Sequence, residues 1–348
     1  MIDKFVIVIP TYKRPDLLHY LLSDLSCQII LPAKVVIVDG DPSSLDVKCM
    51  LKDLTDDLPI IYIPSNHPNA PYQRYLGTKA ADDCVWIIFI DDDIRIAQKD
   101  ALEKILVPFK WGNRNIVGVS PDIIFPSREK PIEDHPRRKN FKFLQNSFRL
   151  SPGELTASGD RVPIVDTAND YVHVEWLRGG VMAFQNHVLS KVIFSEDVFA
   201  LSHIHCGLGS DDTYLSRCVG LYGELLQANC AIVEHPDKDI SRVYPADMKQ
   251  LGYARAYSRR FLNDHYRLNK ETRLLDRVAL IKSYLWTFFL NWANAIGTFN
   301  NSRLAYAWGH TLGIFRALIQ APTARNLAPE INWQADAEKA LANQVDIK

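Results

Sequence analysis

The stretch of sequence that decides the fold reads Val85-Trp86-Ile87-Ile88-Phe89-Ile90-Asp91-Asp92-Asp93. Its six apolar residues lack the alternation of a half-exposed strand, so they predict a strand that is covered on both faces. Three carboxylates cannot be buried unpaired at its end, because the desolvation of each isolated charge is costly. We therefore expect them at the carboxyl end of the strand, where open α/β sheets bind ligands.

The three aspartates form a candidate metal site. Carboxylates packed this closely repel one another unless a cation lies among them, and hard oxygen ligands suit Mg²⁺ or Mn²⁺. Such an ion usually also binds the phosphates of a substrate. The alternative is a solvated acidic turn that follows a strand.

Strands and helices alternate along the first ninety residues. Apolar runs at Phe5–Ile9, Val35–Val38 and Ile60–Ile63 are separated by helical patterns, and Ala70–Ala81 predicts a helix before the aspartate-ended strand. This order favours an α/β fold with a mostly parallel, Rossmann-like sheet flanked by helices. Right-handed crossovers place the carboxyl ends of such strands along one rim. The polar groups expected at that rim are Pro10-Thr11-Tyr12, Asp39 and Asp91-Asp92-Asp93.

The composition and the absence of two motifs argue against several classes of protein. The 348 residues are 47% hydrophobic, which suffices for a large core, and the net charge of -1 gives no support for nucleic acid as a partner. The six cysteines include no C-x-x-C pair, which favours reduced core residues in a cytoplasmic protein. The sequence contains neither a glycine-rich dinucleotide motif after the first strand nor a P-loop motif, which argues against a nicotinamide dehydrogenase and a P-loop ATPase.

The second half of the chain carries further candidate site residues. Gly179-Gly180, shortly after Trp176, indicates either a simple turn or a close approach of the backbone to an acceptor. Asp211-Asp212 follows a loop containing Gly207 and Gly209 and opens a predicted helix, where one carboxylate can cap the helix and the other can act as a general base. His235 ends a predicted strand, either as a metal ligand or as a structural histidine. The basic run Arg137-Arg138-Lys139 favours a solvated surface excursion over a patch for an anionic acceptor.

Taken together, these residues resemble the family 2 glycosyltransferases, which have the GT-A fold. The resemblance extends along most of residues 4 to 265. Val8-Ile9-Pro10-Thr11-Tyr12-Lys13-Arg14 is similar to the opening strand of the family, and Asp39 matches its acidic residue after the second strand. The other matching segments are Asn66 with Gln73-Arg74-Tyr75-Leu76-Gly77, Asp91-Asp92-Asp93 at the D-x-D motif, Asp211-Asp212 at the Glu-Asp motif, and His235. Tyr253 to Phe261 resembles the branch that includes rhamnosyltransferases.

The resemblance implies a role for each matching residue. The implied nucleotide-binding residues are Pro10, Thr11, Tyr12, Arg14, Asp39, Asn66, Arg74, Asp91 and Asp92. Asp93 and His235 would bind Mn²⁺ or Mg²⁺, with Asp212 as the catalytic base beside Asp211. The acceptor would lie near Trp176, Gly179 and Gly180.

The implied reaction is an inverting transfer of a hexosyl or deoxyhexosyl group in polysaccharide or glycan assembly. The donor would be a UDP, dTDP or GDP sugar, and the acceptor a hydroxyl of a glycan or of a lipid-linked saccharide. Three alternatives use the same residues differently: a nucleotidyltransferase, a haloacid-dehalogenase-like phosphatase that uses the Asp91 to Asp93 motif, and a non-catalytic protein that binds nucleotide sugars.

We expect a catalytic domain over residues 1–265, with a nucleotide-binding half (1–115) and an acceptor-binding half (116–265), followed by a helical extension over 266–348. Within the extension, Leu274–Phe299 and Leu304–Leu318 predict two helices with broad apolar faces and basic borders. They are expected either to pack on the catalytic domain or on a second subunit, or to contact the cytoplasmic face of a membrane peripherally.

Overall fold

The structure is a computed structural model that describes residues 4–52, 58–81, 84–126, 153–162, 164, 168–205, 211–236, 247–265 and 274–347. The basic run Arg137-Arg138-Lys139 and the glycines Gly207 and Gly209 lie outside these residues. Their predicted roles therefore stay predictions.

A single mixed β-sheet forms the centre of the described part of the chain. Its strands are β1 (Phe5–Thr11), β2 (Lys34–Asp39), β3 (Ile60–Pro64), β4 (Trp86–Ile90), β5 (Ile116–Ile124), β6 (Tyr171–Val174), β7 (Val181–Gln185), β8 (Glu224–Glu234) and β9 (Val345–Asp346). The spatial order is β6-β8-β5-β7-β4-β1-β2-β3-β9. Neighbours among β1 to β4 are parallel, as predicted, whereas β7 runs antiparallel to both β4 and β5.

The aspartate-ended strand lies at the middle of this sheet. All five residues of β4 are buried, which confirms the prediction of a strand covered on both faces. The strand begins at Trp86 rather than at Val85, whose side chain is 49% exposed. Two apolar layers, one on each side of the sheet, supply the cover.

Helices flank the sheet and continue beyond it. They are α1 (Pro15–Ser26), α2 (Asp46–Lys52), α3 (Ala70–Lys79), α4 (Ala101–Leu106), α5 (Asn186–Val192), α6 (Glu196–His205), α7 (Asp211–Gly220), α8 (Met248–Asp264), α9 (Leu274–Thr298), α10 (Asn301–Ile319), α11 (Ala324–Leu327) and α12 (Trp333–Ala342), with a 3₁₀ turn at Val107–Lys110. The two helices predicted in the extension are α9 and α10.

Helix α3 carries the Gln73 to Gly77 segment, and two local features fix its position. Asn69 caps the helix by accepting a hydrogen bond from the backbone N–H of Tyr72. Gly77 lies against β1, where a Cβ atom would come within 2.2 Å of Val8 Cγ1. Only glycine lets the helix approach the strand this closely, so α3 presents its side chains directly to the rim.

The extension packs on helix α8 through backbone contacts. A Cβ atom on Gly309 would lie 1.8 Å from the carbonyl oxygen of Lys249, and one on Gly252 would lie 2.2 Å from that of Tyr306. Helices α8 and α10 therefore meet without side chains between them. The predicted packing of the extension on the catalytic domain is confirmed for α10.

Residues 333–346 pack against the first half of the chain. Trp333, which opens α12, is buried between Tyr72 and Phe199, and His67 pairs with Asp336 at 2.9 Å. Strand β9 then adds to the edge of the sheet beside β3. The domain boundary near residue 265 stays a prediction, but the end of the extension shares the core of the first half.

Two further expectations concern the cysteines and the membrane. Cys84 and Cys218 are buried free thiols, whereas Cys27 and Cys49 are exposed. The prediction of core cysteines is therefore wrong for the latter two, because Cys27 follows the end of α1 at the surface and Cys49 lies on the exposed side of α2. Within the described residues, none of the helices combines the length and the apolar character that crossing a bilayer requires.

Candidate active site

The rim of the sheet gathers most of the predicted residues. Thr11 and Asp39 end adjacent strands and are register partners. Asp91 follows β4, and its backbone N–H donates to the carbonyl oxygen of Gly180 at 2.8 Å. The predicted acceptor glycines thereby lie directly beside the aspartate motif.

Asp92 is buried at the rim and binds two residues at or just after the end of β1. Its Oδ2 accepts a hydrogen bond from Thr11 Oγ1 at 2.8 Å, and its Oδ1 accepts one from Arg14 Nη1 at 2.9 Å. Burial raises the pKa of Asp92 to about 7, while Arg14 acts in the opposite direction. Asp92 therefore joins the end of β1 to the motif that follows β4.

Asp93 and His235 form the candidate metal-binding pair. Asp93 Oδ2 accepts a hydrogen bond from Arg14 at 3.1 Å. Its Oδ1 is buried, has no hydrogen-bond partner among the described residues, and lies 3.7 Å from His235 Nε2. An orphaned buried carboxylate oxygen is costly unless a cation or a donor completes its environment.

The orientation of His235 suits the same role. Its Nδ1 lies 2.8 Å from the carbonyl oxygen of Pro236, which can only accept a hydrogen bond. A hydrogen bond there requires the proton on Nδ1, and the tautomer that provides it leaves the Nε2 lone pair on the side of Asp93. No group of three or more His, Cys, Asp or Glu side chains in the described ranges converges on a metal position. Among the described residues, the side chains that would contact a divalent ion at this position are those of Asp93 and His235, and substrate oxygens and water are its other expected ligands.

Arg74 connects the aspartate motif with the second carboxylate pair. Its guanidinium donates to Asp91 Oδ1 at 2.6 Å and to Asp211 Oδ2 at 2.7 Å. Burial raises the pKa of Asp211, and Arg74 opposes that rise. The arginine therefore fixes the distance between β4 and α7, and its charge is already shared by two carboxylates.

Asp212 is the most tightly held carboxylate of the site. Its Oδ1 accepts the Thr213 N–H at 2.7 Å, and its Oδ2 accepts both Arg161 Nη1 at 2.9 Å and the Gly179 N–H at 3.2 Å. A Cβ atom on Gly179 would lie 2.9 Å from that Oδ2. Gly179 is therefore required as glycine so that Asp212 can approach the backbone.

Arg161 is the site residue that the sequence did not reveal. It lies over the ring of Trp176 at 5.2 Å while it pairs with Asp212. It belongs to an irregular segment with no motif, so only the fold relates it to Asp212. Trp176 itself is buried and supports Arg161 from below. Gly180 has a φ of +103°, a backbone conformation that favours glycine.

Four further residues that the resemblance implies for nucleotide binding differ in exposure. Asp39 is fully buried and accepts hydrogen bonds from Tyr62 Oη and from the Asp41 N–H, both at 2.9 Å. Burial raises the pKa of Asp39, whereas the two hydrogen bonds act to lower it. Pro10 is buried in β1, Tyr12 is half-buried and Asn66 is exposed. Contact of these residues with a nucleotide stays a prediction.

Comparison with known proteins agrees with this arrangement. Residues 6–162 match the family model described as glycosyl transferase family 2. The matched region contains the aspartate motif, Arg74 and Arg161. No curated protein sequence matches the chain.

Two solved structures of low sequence identity align with most of this chain. GalNAc-T7 with UDP, GalNAc and Mn²⁺ aligns over 98% of this chain and 58% of its own, at 15% identity and a TM-score of 0.49. The chain thus spans 58% of the length of GalNAc-T7. The mannosyltransferase PcManGT from Pyrobaculum calidifontis, in complex with GDP-Man and Mn²⁺, aligns over 95% of this chain and 89% of its own, at 13% identity and a TM-score of 0.50. The chain resembles family 2 glycosyltransferases and has the GT-A fold.

Proposed function

We propose that this chain is a metal-dependent, inverting glycosyltransferase. Its donor would be a UDP, dTDP or GDP sugar, and its acceptor a hydroxyl of a glycan or of a lipid-linked saccharide, as in polysaccharide assembly. The family match over residues 6–162 supports the reaction class. PcManGT was solved with a nucleotide sugar and Mn²⁺, which supports the donor class and the kind of cofactor.

The observation that carries the proposal is the environment of Asp93. Its buried, unpartnered Oδ1 faces the Nε2 of His235 across 3.7 Å at the end of the central strand. Mn²⁺ or Mg²⁺ held there would neutralise the charge of the departing diphosphate. Arg14 donates to the other carboxylate oxygen of Asp93, Oδ2, and so restrains the orientation of the carboxylate.

Asp212 would remove the proton of the acceptor hydroxyl. Its Oδ2 is reached from the side of Arg161, the more exposed member of the pair, so an acceptor could approach by displacing that guanidinium. The Gly179 N–H and the Thr213 N–H would hold the carboxylate in place during the exchange. A single displacement from the face opposite the diphosphate inverts the anomeric centre without a covalent enzyme intermediate.

The test measures nucleotide binding as a function of metal. Titration calorimetry with UDP, GDP and dTDP, each with and without Mn²⁺, should reveal one nucleotide whose binding needs the ion. Asp93→Ala should abolish that metal dependence and leave the melting temperature in the absence of ligand nearly unchanged, because the carboxylate lies at the rim.

Asp170→Ala serves as the matched control, since it removes an exposed carboxylate just before β6. It should bind nucleotide like the original protein. If Asp93→Ala retains nucleotide binding with the same response to Mn²⁺, the metal role of Asp93 is wrong.

A further inference from the structure

The C-terminal hairpin, here α9 together with α10, has many exposed apolar side chains on its outer side. Leu285 is 55% exposed and Phe289 is 65% exposed, although both lie in the middle of a 25-residue helix. Their spacing of four residues repeats along α9. The exposed apolar side chains are Leu274, Leu275, Val278, Ile281, Leu285, Trp286, Phe289 and Ile296 on α9, with Trp308, Phe315, Leu318 and Ile319 on α10.

The inner side of the same hairpin is already packed. Leu280 and Tyr284 are buried against α8, and the Tyr284 hydroxyl donates to the carbonyl oxygen of Ala256 at 2.8 Å. Trp292 Nε1 donates to Thr311 Oγ1 between the two helices at 3.0 Å. The contacts that hold the hairpin on α8 thus come from its inner side, and among the described residues the outer side stays exposed.

The charges of the hairpin have one sign on its exposed surface. Over residues 274–320 the sequence contains a single acidic residue, Asp276, and it is buried. The basic side chains Lys282, Arg303 and Arg316 are exposed. A partner that matches this surface has negative charges at its own surface and an apolar region beneath them.

We propose that the outer side of the hairpin docks on an anionic lipid bilayer. Leu, Phe and Trp would insert at the boundary between headgroups and acyl chains, while Lys282 and Arg303 would contact negative headgroups. Helix α9, about 37 Å long at 1.5 Å per residue, would lie along the membrane surface.

A second copy of the chain fits this surface less well. A two-fold interface brings the same patch of each subunit together, so it must be complementary to itself. The described hairpin offers cations but no exposed carboxylate to oppose them. An anionic bilayer supplies the missing charge.

The hairpin is joined to the acceptor side of the candidate active site. Ser283 of α9 donates to Asp160 Oδ2 at 3.2 Å, and Arg259 of α8 donates to Asp160 Oδ1 at 2.6 Å. Asp160 immediately precedes Arg161, which pairs with Asp212. Docking would thus hold Asp212 near the lipid surface, and this part of the inference, which rests on the proposed function, favours a lipid-linked acceptor.

Co-sedimentation of the full chain with vesicles tests the docking. Vesicles of phosphatidylcholine with phosphatidylglycerol should bind the protein, and vesicles of phosphatidylcholine alone should bind it at least about tenfold less, because the cations then lack partners. The double variant Leu285→Ser/Phe289→Ser should reduce binding to the anionic vesicles at least about tenfold, since it removes two large inserted side chains.

The matched control is Ile29→Ser/Leu221→Ser, which removes two equally exposed apolar side chains outside the hairpin. It should leave vesicle binding unchanged. Lys282→Glu/Arg303→Glu should lower binding to the anionic vesicles and leave the weak binding to neutral vesicles as it was.

Two outcomes would overturn the proposal. The first is failure of the original protein to sediment with anionic vesicles. The second is a dimer, seen by sedimentation velocity, that Leu285→Ser/Phe289→Ser converts to a monomer while vesicle binding is unchanged. Asp93→Ala should bind vesicles normally, so that loss of docking and loss of nucleotide binding are separate results.

Discussion

The rim of the sheet and the outer side of the hairpin differ in which kind of side chain is exposed to solvent. At the rim, each ion pair has at least one buried member and is held within the chain: Arg14 pairs with Asp92, Arg74 with Asp91 and Asp211, and Arg161 with Asp212. On the hairpin, large apolar side chains are exposed, and the described residues do not cover them.

This difference indicates that the two surfaces bind their ligands in different ways. Buried ion pairs cost desolvation energy, so they persist where fixed charges orient a reacting group. An exposed apolar patch of this extent is unfavourable in water and gains free energy when an external partner covers it. The rim is therefore suited to chemistry, and the hairpin to docking.

The largest effect is expected at the rim, from Asp212→Asn. The amide retains the size of the side chain and can still accept the Thr213 N–H, but it cannot take a proton. Transfer should fall roughly 10²- to 10⁴-fold, the usual contribution of a general base, while donor binding persists. Release of nucleoside diphosphate, measured with Asp211→Asn in parallel, checks this. A larger loss in Asp211→Asn than in Asp212→Asn would assign the base to Asp211.

A smaller effect is expected on the inner side of the hairpin, from Gly309→Ala. The added methyl would lie 1.8 Å from the Lys249 carbonyl oxygen, so α8 and α10 must separate. We expect a loss of about 3 kcal/mol in the free energy of unfolding, at the upper end for an overpacked contact.

Gly297→Ala provides the matched comparison, because nothing lies within 4 Å of its added methyl near the end of α9. It should be neutral or stabilising by up to about 1 kcal/mol, the gain in helix propensity. Urea denaturation measures both variants. Equal free energies of unfolding for the two would show that the backbone contact between α8 and α10 is not tight.

The smallest effect concerns the pH dependence of the same interface. Burial lowers the pKa of His310 from 6.5 to about 4, and Arg259 and Arg255 act in the same direction. The folded state therefore binds this proton less tightly than the unfolded state, so its contribution to stability is intact above about pH 6.5 and is lost as the pH falls toward 4. The loss should be on the order of 2 kcal/mol.

His310→Gln removes this titration while the carboxylates titrate as before. Its melting temperature should fall less between pH 7 and pH 4.5 than that of the original protein. Parallel melting curves over this range would contradict a buried, neutral His310.

Much of the structure of residues 1–115 could be predicted because its sequence signals are local. The apolar run before Asp91 specifies a strand buried on both faces, and the order of strands and helices specifies a parallel sheet with a single rim. The placement of Asp39, Asp92 and Asp93 at strand ends follows from these patterns.

The partners of the carboxylates could not be predicted in the same way. Arg161 and Asp212 are 51 positions apart in the chain, and Arg161 lies in a segment without periodicity. Arg74 was expected to provide a charge to the nucleotide, whereas the fold directs it to Asp91 and Asp211. The exposed apolar surface of the hairpin likewise follows from which side of α9 packs on α8.

The sequence by itself determined the sheet, the rim and the residue types at the strand ends, since hydrophobic periodicity acts over a few residues. Only the tertiary structure decided that Asp93 faces His235, that Arg161 holds Asp212, and that Trp333 returns to the first half of the chain. These pairings join positions far apart in sequence. They depend on how whole elements pack against one another, which no local pattern specifies.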